Sequence, residues 1–146
     1  MFEKLNQIVK ESEQAFQASN LGQNSLRDAM HEATGVIVDV LKSQIDHGKA
    51  KDVMSYFTGK QSNYQGLTKA MTNKYAHRLN RYFNLDMEDA RALSENVIPA
   101  VMTKFVKQTR EEQQQENGVF GMMNWLSGNT VNFENFFLKL NVVSVA

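Results

Sequence analysis

Cysteine is absent from this 146-residue chain. That excludes disulfides, thiol nucleophiles and zinc–thiolate centres, and it fits a reducing compartment. Proline occurs once and glycine eight times, too rarely for a loop-rich or disordered protein. Net charge is absent as well: sixteen Lys and Arg balance sixteen Asp and Glu. The molecule as a whole therefore has no electrostatic bias toward nucleic acid or an anionic membrane. No stretch reaches the ~20 apolar residues of a membrane span. The start, MFEKLNQIVKESEQAF, lacks the unbroken apolar core and small-residue cleavage site of a secretory signal. The expectation is a cytoplasmic protein with no membrane span.

What is present is a 42% hydrophobic content, enough for one core in a chain of single-domain length. The apolar residues recur at helical spacing almost throughout. Phe2, Leu5, Ile8, Val9 and Phe16 predict an N-terminal helix over 2–18. Leu26, Met30, Ala33, Ile37, Val40, Leu41 and Ile45 predict a long second helix, with Ser25 as N-cap and Gly48 as terminator. A short helix through Val53, Met54 and Phe57 stops at Gly59. Met71, Tyr75, Leu79 and Tyr82 predict one face of the next, and Asp86 caps a helix through Ala90, Leu93 and Val97. Pro99 predicts a kink or a fresh start. The glutamine-rich stretch 108–118 reads as a frayed end or linker, and helices near 122–126 and 133–140 follow. Only NVVSVA, 141–146, hints at a strand. The fold class is all-α: a compact multi-helix bundle forming one domain over 1–146.

One phrase occurs twice. Offset by 69 positions, residues 52–71 fall on 121–140 without a gap, so that Met54 meets Met123, Gly59 meets Gly128 and Asn63 meets Asn132. Each copy reads as a short apolar helix stopped by glycine, with asparagine supplying the N-cap oxygen of the next helix. At an offset of 61, VIVDVL (36–41) lies over VIPAVM (97–102). The pattern predicts an imperfect internal duplication, with pseudo-repeats at about 30–85 and 91–146.

VIPAVMTKFVKQT (97–109), the polar stretch after it and MMNWLSGN (122–129) resemble the YidB-like bacterial proteins of unknown function. The resemblance runs from Phe2 to about Gly128. It implies an all-helical bacterial protein and transfers no catalytic residue. Those proteins are often glycine-rich around their short helices, where this chain has single glycines.

Chemistry-bearing motifs are sparse. His31-Glu32 begins a zinc-type HExxH, but Gly35 stands where the second histidine belongs. Asp86, Glu88 and Asp89 read as a helix cap and favourable first-turn acids. Neither TGK nor GNT has the glycine spacing of a phosphate loop. No catalytic residue, metal ligand or cofactor is assigned, and the expectation is a protein that is not an enzyme.

Two surfaces remain. Residues 53–85 carry five Lys and Arg and no acid, and Lys74, Arg78 and Arg81 share one helix face. That is the footprint of nucleic-acid or anionic-partner binding. Toward the C-terminus, Trp125, Phe133, Phe136, Phe137, Val142, Val143 and Val145 are a candidate protein interface. The favoured expectation is a structural or interaction module that self-associates as a homo-oligomer or binds another protein. The basic face is the alternative.

Overall fold

The hydrophobic periodicity becomes seven α-helices and one 3-10 turn in a computed structural model, which describes residues 2–58, 64–112, 118–133 and 135. The helices are α1 (Phe2–Lys10), α2 (Glu13–Gln17), α3 (Leu26–Asp46), α4 (Ala50–Thr58), α5 (Tyr64–Tyr82), α6 (Met87–Glu111) and α7 (Val119–Leu126). Among the described residues there is no strand, so the all-α expectation holds. NVVSVA, Gly59, Lys60 and Asn63 lie outside the described residues.

The N-terminal segment corrects the single helix expected over 2–18. It breaks at Glu11–Ser12, where Ser12 N–H turns back to Val9 O (2.9 Å). The break lets Leu5, Ile8 and Val9 face the core from α1 while Phe16 reaches it from α2. Along its outer edge this segment runs antiparallel to α6. Lys4 Nζ meets Glu112 Oε2 at 2.7 Å, Lys104 Nζ meets Glu11 Oε2 at 3.2 Å, and Asn20 Nδ2 donates to Asp89 Oδ2 at 2.7 Å.

Ser25 is not the expected cap. Its backbone is already helical, its side chain accepts no capping bond, and a 3-10 turn over Gln23–Ser25 leads into α3. Gly48 does end α3. At φ +78° its N–H bonds Ile45 O (3.1 Å) and the next N–H bonds Gln44 O (2.8 Å), the paired C-terminal closure that favours glycine. Gly128 closes α7 in the same way at φ +71°, with bonds to Trp125 O and Asn124 O. Asp86 caps α6 as expected, accepting from Asp89 N–H at 2.8 Å.

Pro99 does not start a new helix. It sits inside the 25-residue α6, which continues through residue 111 into the stretch expected to be a frayed helix end or linker. The missing amide leaves Glu95 O without its helical donor. Tertiary packing outweighs that loss: Val97, Ile98, Val101, Met102, Phe105 and Val106 are all buried.

The helix pairs are held at close range by small residues and buried hydroxyls. The α5–α6 hairpin is pinned where Ser94 Oγ donates to Thr72 O (2.6 Å), and its turn by Asn80 Nδ2 to Leu85 O (2.8 Å). Between α3 and α5, Tyr75 Oη donates to Ala29 O at 2.6 Å, across a seam that includes buried Ala29 and Ala33. At the centre Phe57 meets Phe105 edge-on, 5.5 Å between ring centroids.

Candidate functional site

The two predicted surfaces fare differently. At the α7 end, Trp125 is half-buried, and its ring lies edge-on to Phe2 with centroids 6.1 Å apart. Phe2 is 45% exposed. Sequence reasoning placed Phe2 only in the first helix. Its position on the apolar stripe matches Leu5, but it is the first residue of α1 and stays half-exposed where Leu5 is buried.

Phe133 corrects the predicted interface. It is 3% exposed and belongs to the chain's own core, so it presents no surface to a partner. Its place is fixed by a bond that spans nine residues: Asn124 Oδ1 accepts from Phe133 N–H at 2.7 Å, drawing the segment back over α7. Asn132 Oδ1 accepts from Asn135 N–H at 3.2 Å, the kind of bond an N-cap asparagine makes; of the helix expected over 133–140, all but Phe133 and Asn135 lies outside the described residues. Phe136, Phe137, Val142, Val143 and Val145 lie outside the described residues.

The basic face of α5 is partly neutralised. Arg78 Nη1 sits 3.2 Å from Glu32 Oε1 on α3, and Lys74 is half-buried. Arg81 is exposed. Both arginines lie near Tyr82, each guanidinium carbon 5.9 Å from the ring centroid. Tyr82 was expected on the buried face with Met71, Tyr75 and Leu79, yet it is 59% exposed. Leu85, brought back by the turn after α5, occupies the core at that end instead. The structure thus gathers Arg78 and Arg81 around an aromatic ring and ties one of them to a carboxylate.

Among buried polar groups, Tyr75 is the most perturbed. Burial holds its phenol protonated well above the ordinary range, and the Glu32 carboxylate acts in the same direction. Its hydroxyl donates to Ala29 O, so it serves the α3–α5 seam. Thr34 Oγ1 and Thr109 Oγ1 are buried without a hydrogen-bond partner among the described residues.

The remaining motif residues take structural or open positions. His47 Nδ1 donates to Ser43 O (2.7 Å) at the end of α3. Asp86 caps, and Asp89 receives Asn20. His31 is exposed on the wall of a cleft of about 610 Å³ between α1–α2 and the start of α3. A second hollow of about 370 Å³ follows the α5–α6 seam beside Pro99. Among the described residues no group of three or more His, Asp or Glu is placed to hold a metal, and no helix is long and apolar enough to cross a membrane.

Comparison with family models, curated proteins and solved structures finds no match to this chain.

Proposed function

We propose that this chain is a non-enzymatic interaction module that self-associates through its aromatic end, where Phe2 and Trp125 meet. The exposed Phe2 ring against half-buried Trp125 carries the reading. A large apolar ring left in water costs free energy that a partner surface recovers. Tryptophan is also among the residue types that anchor interfaces. The neutral net charge supports it too, because two copies meet without overall repulsion. On this reading the protein is bacterial and cytoplasmic, a relative of the YidB-like proteins. The proposal includes the duplication: α3 and α6 are long and α4 and α7 short, in the same order.

The test uses the single tryptophan. Light scattering across protein concentration should give a mass that is a multiple of 16.6 kDa. Trp125 emission should shift over the same range. Phe2→Ser should return the mass to that of one chain and abolish the emission shift while leaving the helical circular dichroism intact. An unaltered chain that stays monomeric at every concentration overturns the reading.

A further inference from the structure

The cleft between α1–α2 and α3 takes no part in the self-association above. At about 610 Å³ it is within the range of sites that hold small organic molecules. Its floor is apolar. Val9 is buried, and Leu26 and Met30 are part-exposed side chains resting on the core. Apolar atoms lining a concavity gain more from an apolar guest than the same atoms on a convex surface, because the guest is enclosed on several sides.

The walls are charged, and the charges are arranged. Arg27 and His31 stand four residues apart on α3 and so share one face. Lys10 lines the same cleft from the last turn of α1. Neither Lys10 nor Arg27 has a carboxylate within ion-pair distance among the described residues, although Lys4, Arg78 and Lys104 all do. Two carboxylates also line the cleft. Glu3 lies in the first turn of α1 and Glu13 in the first turn of α2, ten residues apart along the N-terminal segment. They flank Lys10 in the chain rather than pairing with it. The amides of Asn6 and Gln7 complete the α1 wall.

We propose that this cleft binds a small amphipathic anion. Its carboxylate head lies between Lys10 and Arg27, and its apolar body rests on Val9, Leu26 and Met30. Two unpaired cations from separate elements above an apolar floor match that chemistry at both ends. A guanidinium presents paired donors to a carboxylate, and the amides of Asn6 and Gln7 supply neutral donors beside it. Glu3 and Glu13 select against a second negative charge on the ligand, so the class is a monoanion of medium chain length.

The test titrates octanoate, octylamine and octanol, each below its aggregation limit, into isotope-labelled protein. Backbone and methyl resonances of Val9, Leu26 and Met30 are followed by NMR. Octanoate should shift them saturably, and tighter than either analogue. The double substitution Lys10→Gln with Arg27→Gln alters two exposed side chains and should weaken octanoate at least tenfold with the rest of the spectrum unchanged. Lys69→Gln, remote from the cleft on α5, should leave the affinity alone. Octanol binding as tightly as octanoate shows that the head is not read, and overturns the proposal. Preference for octylamine, or no saturable shift at these residues, overturns it as well. None of these outcomes depends on the state of association, since Phe2→Ser provides the same cleft without the aromatic contact.

Discussion

Tyr75 shows how much one side chain can link. Its ring is fully buried between α3 and α5, and its hydroxyl reaches Ala29 O across the seam. In the unfolded chain the phenol titrates near 10. In the fold, burial and Glu32 keep it protonated to much higher pH. The folded state therefore holds a proton that the unfolded state releases, so this group's contribution is complete below about pH 10 and is lost as pH rises above it. Denaturant titrations at rising pH should show stability falling beyond that point, and Tyr75→Phe should flatten the fall. At neutral pH the same substitution should cost about 0.5–1.5 kcal/mol, the worth of one hydrogen bond. Arg78 and Glu32 lie next to this seam but are more than a quarter exposed, so their pairing contributes at most about 1 kcal/mol.

At the scale of the element, helix ends carry the argument. Gly48 and Gly128 adopt positive φ, and beyond their own chain neighbours neither has an atom within 4 Å of where a Cβ would sit. The need for glycine is conformational and not steric crowding. Gly48→Ala and Gly128→Ala should each destabilise by about 1–2 kcal/mol, the cost of a side chain in the left-handed region. Thermal unfolding of the two variants, singly and together, checks this. The sites lie at the ends of different helices, so their effects should add. Both glycines were legible in the sequence because a terminator follows directly from local geometry. The role of Ser25 was not, since a preceding 3-10 turn is decided by how α2 is delivered to α3. Pro99 was half legible. A proline predicts a lost amide, but only the burial of its neighbours along α6 decides that the helix runs on regardless.

For the whole molecule, the N-terminal segment and α6 set the frame. The segment's outer contacts are one exposed ion pair, one part-buried ion pair and one amide–carboxylate bond. Its inner contacts are Leu5, Ile8, Val9 and Phe16, all at most 1% exposed. Burial of each such side chain stabilises by about 1.5–3 kcal/mol, while an exposed ion pair gives about 0–1 kcal/mol. Four of them together approach the whole stability of a typical domain, about 5–15 kcal/mol. Deleting residues 2–20 should therefore abolish cooperative unfolding, as read by circular dichroism in a denaturant series. Glu11→Ala with Glu112→Ala should shift the midpoint only slightly. A deletion variant that still unfolds cooperatively would show that α3–α7 form a core of their own.

Periodicity, caps and terminators belong to the sequence. The spacing of Met71, Tyr75 and Leu79, the cap at Asp86 and the stop at Gly48 each depend on residues within a few positions of one another, so local physics settles them. The exposure of Phe2 and Tyr82 depends on where neighbouring helices end, and the burial of Phe133 on the bond its N–H donates to Asn124 Oδ1, nine residues back. The pairing of Arg78 with Glu32 joins residues 46 apart in the chain. That Lys10 and Arg27 line the same cleft is likewise set by how α1 lies on α3. No local pattern encodes these relations; they arise when apolar faces pack, and packing alone decides which polar groups are left together at the edges.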